Sequence, residues 1–414
     1  MSDVSVRRLP LALLVGAAAL TGSTCDGGPT GPTPITELPR DLTVAELDII
    51  DGSNRFAFGL LSEVRATQPD SPNTFLSPLS ASMALGMTLN GADGETWTQM
   101  RDALGFGGME EQAINDGYRS LIELLLGLDP SVEIGLGNAI WVDEISLLPG
   151  FVDRTETYFD AEVDVLDFDD PSSADVMNGW VDEVTNGRIQ RLVETVNSDA
   201  MLYLINAIYF KADWRSQFDE DNTHDAQFTR ADGSRVTVDM MSDKVGHRTL
   251  NAGNPAAVQG VELAYGGGAY SAVVLLPPED VAIDEFVAGL DDVAWQAWMD
   301  HFDEAAGTET PDEDGMLVRL PKFELEWGAS LVPALQALGM TDAFDEQLAN
   351  FTRITDDRDD LYVYDVMQKS FVLVDEQGTE AAAATAFDRP FLFAIRERFS
   401  GTILFMGVIG DPSV

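Results

Sequence analysis

The 414-residue sequence is poor in the side chains that most metal sites and hydrolytic triads need. It has one cysteine, Cys25, and three histidines, His224, His247 and His301. A lone cysteine excludes an intramolecular disulfide, and a zinc site needs clustered His and Cys ligands that this sequence lacks. A Ser-His-Asp hydrolase is not indicated, because no Gly-x-Ser-x-Gly turn is present. We therefore expect no enzyme, no metal site and no cofactor.

Positive charge is also scarce. The chain has 24 Lys and Arg residues against 71 Asp and Glu residues, which gives a net charge of −47. This charge repels nucleic acids, so we expect no nucleic-acid partner. Self-repulsion destabilises a compact chain unless salt screens it. We interpret the excess as a solvated surface of the halophilic kind, and an acidic surface that receives a basic partner is the alternative.

No apolar run at the N-terminus is long enough to span a bilayer. The stretch LPLALLVGAAAL (9–20) follows two arginines and precedes Cys25, which is the order of an export signal. A cysteine at the end of such a signal resembles the acylation site of bacterial lipoproteins. Gly22 and Thr24 depart from that motif, which favours a large aliphatic residue and a small Ala or Gly there. Lipidation of Cys25 and plain secretion therefore both stay open.

The sequence divides into three predicted regions. Residues 1–25 are an export or lipoprotein-like signal, and 26–42 are a flexible linker rich in Pro, Gly and Thr. Residues 43–414 are one domain, because no second linker interrupts them. We expect an exported protein that is extracellular or anchored to the envelope. Its only contact with a membrane would be the lipid on Cys25.

Hydrophobic spacing in the domain predicts helices first and mostly strands later, an α+β pattern. Ser77 and Pro78 form a good helix start, since serine caps and proline fits the first helical position. The segment 201–214 is apolar enough to be a strand buried on both faces. Strands are predicted at 133–143, 201–214, 270–277, 316–327, 361–375, 390–396 and 402–408, and helices at 109–127 and 328–340.

Several short motifs, collinear over nearly all of 43–414, resemble the serpin family. They are NTFLSPLSASMALGMTLNGADGET (73–96), NGWVDEVTNGRI (178–189), LINAIYFKADW (204–214), LPKF (320–323), LGM (338–340), EQGTEAAAATA (376–386), DRPFLFAI (388–395) and GTILFMG (401–407). Each motif is weak alone, but their order and spacing together are highly specific. The resemblance implies the serpin fold, which is a single α+β domain with three β-sheets and eight to nine helices.

The resemblance also implies a mechanism and a partner. Inhibitory members offer an exposed reactive loop to a serine protease, which cleaves the loop and becomes acylated. The loop then inserts as a new strand of a metastable sheet and traps the protease covalently. The implied partners are serine proteases, with cysteine proteases as a second class, and we expect a monomer. A serpin-fold protein that binds or has a structural role without trapping is the alternative.

Two sets of residues carry over from the family. The hinge and reactive loop would comprise Glu376, Gly378, Thr379, Glu380, Ala381, Ala382, Ala383, Ala384, Thr385, Ala386 and Phe387. Opening of the sheet would be controlled by Ser77, Pro78, Ser80, Asn206, Trp214, Lys322, Gln368 and Lys369. Within these sets, a Lys322–Glu376 ion pair would hold the sheet closed. Gln368 departs from the family, which usually has His there, so the gating role of that histidine is in question.

The reactive loop is short. About twenty residues usually separate the hinge glycine from the aromatic residue of the last strand region, whereas Gly378 and Phe387 are nine apart. Small residues fill this stretch, which suits a segment that slides between strands, but the scissile region and the edge strand after it would be missing. Ala386–Phe387 is one candidate cut site, for an elastase-like enzyme. The chain is then a natural non-inhibitory member, a sequence that has lost a segment, or an inhibitor acting through another surface.

Overall fold

The computed structural model describes residues 32–244, 247–304, 317–376 and 384–414, which belong to one compact unit, Pro32–Val414. The helices in these ranges are α1 Val44–Thr67, α2 Pro78–Leu89, α3 Gly94–Ala103, α4 Glu111–Leu128, α5 Pro149–Phe159, α6 Ser173–Val184, α7 Ile283–Ala288, α8 Asp292–Glu304 and α9 Val332–Ala337. None of them is both long and apolar enough to cross a bilayer.

The strands of the described residues form three sheets. They are β1 Asn73–Leu76, β2 Val132–Asp143, β3 Glu162–Leu166, β4 Leu202–Ala212, β5 His224–Thr229, β6 Arg235–Asp243, β7 His247–Leu250, β8 Gln259–Tyr265, β9 Tyr270–Leu276, β10 Leu317–Pro321, β11 Phe323–Ser330, β12 Asp365–Val374, β13 Ala384–Ala386, β14 Phe391–Glu397 and β15 Ile403–Ile409. The strand orders are β11-β12-β4-β2-β3, β1-β15-β14-β9-β8-β7 and β13-β10-β6-β5. Helices and three sheets in one mixed domain confirm the predicted α+β architecture.

The five-stranded sheet has a parallel pair at its centre. Strands β4 and β12 run side by side over seven aligned residue pairs, from Tyr203 opposite Asp365 to Tyr209 opposite Phe371. Their outer neighbours, β2 and β11, pair with them in the antiparallel sense. A parallel pair needs a long crossover, and here about 150 residues of chain separate the two strands. The boundary between β4 and β12, which we call the seam, therefore joins two strands that are distant in sequence.

Both faces of the five-stranded sheet are covered, which explains why β4 is buried over nine consecutive residues. On the inner face lies α2, all of whose residues are buried. On the outer face, α6 and the segment after it form a second apolar cluster with side chains such as Trp141, Met177 and Tyr203. The larger core lies between this sheet, the six-stranded sheet and helices α1, α2 and α4.

Two predicted elements have different boundaries in the structure. The segment 316–327 was expected to be one strand, but Pro321 and Lys322 divide it between β10 and β11, which belong to different sheets. The amide of Lys322 donates to the carbonyl of Asp239 on β6 at 2.8 Å, so pairing with β6 continues up to the point where β11 begins. The helix expected at 328–340 is reduced to α9, because 328–330 continue β11.

Candidate functional site

A buried polar row crosses the centre of the five-stranded sheet. Gln368 on β12, Asn206 on β4 and Asn138 on β2 are direct neighbours in register and are at most 2% exposed. The side-chain amide of Gln368 donates to Asn206 Oδ1 at 3.1 Å. Asn206 Nδ2 in turn donates to Asn138 Oδ1 at 2.9 Å. The row therefore ties three strands together and spans the parallel seam.

The same row is bound to the start of α2 beneath the sheet. Gln368 accepts from the Ser77 amide at 3.0 Å and donates to the Ser77 carbonyl at 2.8 Å. Asn206 Nδ2 also donates to Ser80 Oγ. Ser77 caps α2 by accepting from the Ser80 amide at 3.3 Å, and Pro78 is its first residue, which confirms the predicted helix start. The N-terminal end of α2, β4 and β12 thus share one hydrogen-bond network.

All members of this network are neutral. Buried neutral hydrogen bonds each contribute about 0.5–1.5 kcal/mol net, but a donor or acceptor left unmade in the interior costs about 1–3 kcal/mol. Parting β4 from β12 breaks the bond between Gln368 and Asn206, so it carries such a cost unless a new strand supplies partners. The sheet is closed here by geometry and burial rather than by charge.

An ion pair lies at the end of β12 where the hinge segment begins. Lys322 Nζ is 2.7 Å from Glu376 Oε2, so the expected pair is present. Thr223 Oγ1 donates to the other oxygen of Glu376 at 2.8 Å. Burial alone would raise the pKa of Glu376, but these hydrogen bonds outweigh it, and the pKa lies below its ordinary value. The hydrogen bond to Glu376 raises the pKa of Lys322, so both partners are charged at neutral pH.

Trp214 fixes the backbone just before Glu376. Its indole nitrogen donates to the carbonyl of Asp375 at 2.9 Å, and its ring stacks on Tyr265 with centroids 4.3 Å apart. The amide of Phe218 donates to the carbonyl of Glu376 at 2.5 Å. The residues after β4 therefore hydrogen-bond to the main-chain carbonyls at the end of β12. These bonds link the chain after β4 to the end of β12, whereas the Lys322–Glu376 pair joins the ends of β11 and β12 on one side of the seam.

Lys369 lies on the opposite face of the sheet from Gln368, because successive side chains of a strand alternate. Its ammonium group is 2.5 Å from Glu326 Oε1 on β11 and also donates to the carbonyl of Arg191, in the segment that follows α6. Lys369 therefore does not join the network beneath the sheet. It fastens the outer covering of the sheet to β11 and β12.

The last three small residues of the hinge motif form an edge strand, which corrects one sequence-based expectation. Ala384–Ala386 pair with Leu317–Arg319 of β10 in the parallel sense, as β13 of the four-stranded sheet. The edge strand expected to be missing is thus supplied by residues assigned to the reactive loop. Phe387 follows it, fully buried, with its ring centroid 5.7 Å from that of Phe391. This buried aromatic anchors the strand.

β13 is held weakly. It has three aligned pairs with β10, and the Thr385 hydroxyl is buried without a hydrogen-bond partner among the residues the structure describes. A buried hydroxyl without a partner costs about 1–3 kcal/mol. Seven residues, 377–383, connect Glu376 to this strand. The predicted site residues Gly378, Thr379, Glu380, Ala381, Ala382 and Ala383 lie outside the described residues, as does Cys25.

Sequence reasoning missed three polar contributors to this region. Asn138 is a buried polar residue in the middle of β2, and Ser370 follows Gln368 by two residues, on the same face of β12. The Ser370 hydroxyl donates to the carbonyl of Phe75. Alternation of polar residues on a buried face would have indicated Ser370. Thr223 lies in an ordinary polar stretch, and no sequence signal marks it.

No group of three or more His, Cys, Asp or Glu side chains in the described ranges is placed to hold a metal ion. The polar groups around Gln368 and Asn206 face one another or the backbone across a seam between strands. Such contacts resist separation of the strands, and they break when the strands separate.

Comparisons with known proteins give a consistent result. A family model described as "Serpin (serine protease inhibitor)" matches residues 51–412. Human antithrombin-III is 30% identical over 395 residues, which cover 89% of this chain and 82% of that protein. An uncharacterized serpin-like protein of Methanosarcina acetivorans is 30% identical over 390 residues, covering 89% and 88%. The crystal structure of human kallistatin matches with a TM-score of 0.80 at 26% identity, covering 89% of this chain and 99% of that one.

Proposed function

Because the chain belongs to the serpin family, we propose that it inhibits serine proteases by inserting its hinge segment between β4 and β12. The observation that carries this proposal is the parallel pairing of those two strands next to the start of the hinge at Glu376. A segment that folds back from the end of β12 would run antiparallel to both strands. Cysteine proteases are a second possible target class.

Insertion has a favourable hydrogen-bond balance. It exchanges one parallel ladder of seven aligned pairs for two antiparallel ladders. Antiparallel pairing is slightly more stable per residue than parallel pairing, and the new strand adds its own backbone bonds. The cost is the opening of the Gln368–Asn206 contact and of the hydrogen bond from Trp214 to the Asp375 carbonyl. These contacts would therefore delay insertion until cleavage releases the segment.

The length of the connection limits this mechanism. Seven residues span about 23 Å as a strand, whereas the ten residues of β12 span about 33 Å. The segment can match β12 only if Ala384–Ala386 also leave the four-stranded sheet. Their three pairs and the unpartnered Thr385 hydroxyl favour that release. Trapping by this chain therefore requires β13 to detach from β10.

The same step governs access to a cut site. Cleavage between Ala386 and Phe387 would free the whole stretch from residue 377 to Ala386, but Phe387 is fully buried while β13 is in place. A protease with a small-residue preference, of the elastase type, would thus reach this bond only after β13 detaches. Recognition and insertion would depend on a single opening event.

A serpin-fold protein that binds without trapping is the second candidate. The seven-residue connection favours it, since a segment tied at both ends presents little accessible substrate. In that case proteases would either ignore the protein or cleave the segment and dissociate. The fold, the network and the ion pair would then serve stability alone.

The test is incubation with elastase-, trypsin-, chymotrypsin- and subtilisin-like proteases, followed by boiling in SDS and electrophoresis. Trapping predicts a covalent band at the summed mass. Cleavage or no reaction without that band supports the non-trapping candidate. The intact mass is measured first, because a mass heavier by about a dozen residues would mean that the sequence as written lacks a segment.

A locked variant tests the role of β13 directly. Val318 and Thr385 are aligned neighbours on β10 and β13, so Val318→Cys/Thr385→Cys can join the two strands when oxidised. The oxidised variant should form no covalent complex, and reduction should restore it. Cys25→Ser in the same background prevents wrong pairing. Equal trapping before and after reduction would refute the requirement for detachment.

We also propose export through residues 1–25, with acylation at Cys25. The support is the order of arginines, apolar stretch and single cysteine in the sequence. Fractionation of expressing cells, with mass spectrometry of the mature N-terminus, tests this proposal. A lipid-free mature form released to the medium would favour plain secretion, and Cys25→Ser should convert an anchored form to that state.

A further inference from the structure

The short edge strand β13 contains a buried hydroxyl, that of Thr385. The residue is 2% exposed, and its hydroxyl has no hydrogen-bond partner among the residues the structure describes. Its neighbours in the strand are Ala384 and Ala386, and the backbone pairing with β10 needs no hydroxyl. A buried hydroxyl without a partner destabilises a fold, whereas an apolar side chain of the same shape does not. The pairing of β13 therefore gives no reason for threonine at this position.

The seam loses a side-chain contact when it opens. Gln368 Nε2 donates to Asn206 Oδ1 at 3.1 Å, and the two residues are aligned neighbours on β12 and β4. Neighbouring strands lie about 4.8 Å apart, so a strand inserted between β4 and β12 doubles the spacing and takes the two amides out of reach of each other. Insertion then leaves one donor on Gln368 and one acceptor on Asn206. A single hydroxyl can satisfy both, because it accepts one hydrogen bond and donates another.

The charge of Glu380 decides which face of an inserted hinge segment turns inward. The inner face of β12 is buried beneath the sheet, with side chains such as Gln368 and Val372. A carboxylate buried there without a cation would be costly, so an inserted Glu380 takes the outer face. Successive side chains of a strand alternate, and Thr385 is five positions further along the chain. Insertion therefore turns the Thr385 hydroxyl toward the inner face, where the network lies.

The turn between β12 and the inserted segment sets the register. Two-residue loops are the commonest connections between antiparallel strands. A loop of residues 376–377 pairs Asp375 with residue 378, and each step back along β12 then matches one step forward along the segment. Thr385 is seven residues after 378, and Gln368 is seven residues before Asp375. Thr385 is therefore placed opposite Gln368, between that residue and β4.

Longer loops do not bring the segment to the network in this orientation. A three-residue loop shifts the register by one position and would turn Glu380 to the inner face, opposite the buried Val374. A four-residue loop pairs Ala386, the last residue before the candidate cut, with Lys369 and leaves Gln368 with no residue opposite it. The two-residue loop is thus the register in which a segment that ends at Ala386 fills the sheet as far as the network.

We propose that Thr385 rebuilds the seam after insertion: its hydroxyl accepts from Gln368 Nε2 and donates to Asn206 Oδ1. This inference rests on the proposed trapping function. Thr385 is a positioning residue, since it acts through the sheet and not on the cut bond. Within the described residues its hydroxyl has no partner before insertion, and it gains two partners after insertion. The same group thus raises the free energy of the intact form and lowers that of the inserted form.

A synthetic peptide of residues 377–386, QGTEAAAATA with blocked ends, tests the contact by itself. The peptide adds a strand from outside, so its substitutions leave β13 and the folding of the protein unchanged. A peptide that inserts at the seam should raise the thermal midpoint of the protein in a saturable way. Thr385→Val in the peptide should weaken binding about tenfold, because it leaves a buried donor and a buried acceptor unpaired.

Two matched peptides are the controls. Thr385→Ser keeps the hydroxyl, so its affinity should stay within about twofold of the wild-type peptide. Thr379→Val makes the same chemical change in the same segment, at a position that this register places opposite the buried, apolar Val374. This peptide should bind as tightly as the wild-type peptide, since no polar partner waits there.

The protein variant Gln368→Met shows whether Thr385 meets Gln368. Methionine keeps the length of the side chain but has no amide to donate. Two residues in contact are energetically coupled, so the difference in affinity between the wild-type and Thr385→Val peptides should shrink in this variant. An unchanged difference would show that the hydroxyl binds elsewhere and would overturn the inference.

The trapping assay on the full-length protein provides a second readout. It measures the share of cleaved protein that ends as covalent complex rather than being released. Thr385→Ser should leave this share unchanged, and Thr385→Val should lower it, because the inserted state is less favourable. If Thr385 only loosened β13, Thr385→Val would slow cleavage and leave the share unchanged.

The outcomes separate this inference from the function on which it rests. Equal affinities of the wild-type and Thr385→Val peptides, or an unchanged share of complex, would overturn the role of Thr385 while trapping stands. If no peptide raises the thermal midpoint and no covalent band forms, insertion itself does not occur, and both proposals fail.

Discussion

Substituting Gln368 by glutamate should make the stability of this protein depend on pH through a site that is neutral in the wild type. Gln368 is fully buried and makes three hydrogen bonds, one accepted from Ser77 and two donated to Ser77 and Asn206. Glutamate has nearly the same shape. When ionised, however, it can only accept, so it faces the Ser77 carbonyl and Asn206 Oδ1 with like partial charge.

The magnitude follows from those contacts. Two acceptors left without donors in the interior cost about 1–3 kcal/mol each, so the ionised variant should lose about 4 kcal/mol. The protonated acid keeps one donor, and its loss should be about 2 kcal/mol. At about 2.1 cal/mol/K of unfolding entropy per residue, these losses lower the melting temperature by about 5 °C and 2 °C.

The sign of the pH dependence is fixed by the direction of the pKa shift. Burial and the two facing oxygens should raise the pKa of the new carboxyl above its unfolded value of about 4.3. Below that value both states are protonated, and the loss is about 2 kcal/mol, as expected for the acid. As the pH rises from the unfolded pKa to the folded pKa, the loss grows to its full value. The deficit relative to wild type should therefore increase between about pH 4 and pH 8.

Melting temperatures of the wild type, Gln368→Glu and the control Gln336→Glu measure this effect. Gln336 is an exposed residue of α9, so its substitution makes the same chemical change in water. Taking differences at each pH removes the titration of the many surface carboxylates. A Gln368→Glu deficit that is the same at pH 4 and pH 8, or one matched by the control, would refute the assignment of Gln368 to a closed, neutral network.

Three further predictions concern the ends of the seam and the seam itself. Lys322→Met should lower the free energy of unfolding by only about 1 kcal/mol at pH 7, because the Lys322 side chain is 36% exposed. The Glu376 pKa is depressed, so this contribution is present above about pH 4.5 and lost as the pH falls further, and chemical denaturation at pH 7 and pH 3.5 should show the difference only at pH 7. Thr385→Val should stabilise the protein by about 1 kcal/mol by removing the unpartnered hydroxyl, and it should reduce protease trapping by holding β13 in place. Warming should produce polymers on native gels, because strands that part at the seam accept a strand from another molecule; unchanged monomer after heating would count against this.

The fold was predictable where one physical signal dominated. The unbroken apolar stretch of β4 indicated a strand covered on both faces, and the structure has helices beneath it and α6 above it. Ser77 before Pro78 indicated a helix start, and both residues occupy those positions. In each case local chemistry and tertiary packing agree, so the local pattern was sufficient.

Other elements depend on partners distant in sequence. The stretch 316–327 is uniformly strand-like, yet its halves pair with β6 and β12, which lie in different sheets, and only those partners fix the break at Lys322. Ala384 and Ala386 are helix formers, and the single β-branched Thr385 between them is too little to indicate a strand. They form β13 because β10 offers an open edge and because Phe387 is buried next to it. Neither fact is present in the local sequence.

The central network and the Lys322–Glu376 pair respond differently to salt, and the net charge of −47 makes that difference matter. A solution salty enough to screen the acidic surface also weakens the partly exposed Lys322–Glu376 pair, because both effects follow from the same Debye length. The network of Gln368, Asn206 and Ser77 contains no charge and is buried, so screening leaves it unchanged. A histidine at position 368 would add a titrating group to the seam, whereas glutamine keeps the seam neutral at every pH. In concentrated salt, the closure of this sheet should therefore rest mainly on the central amide network.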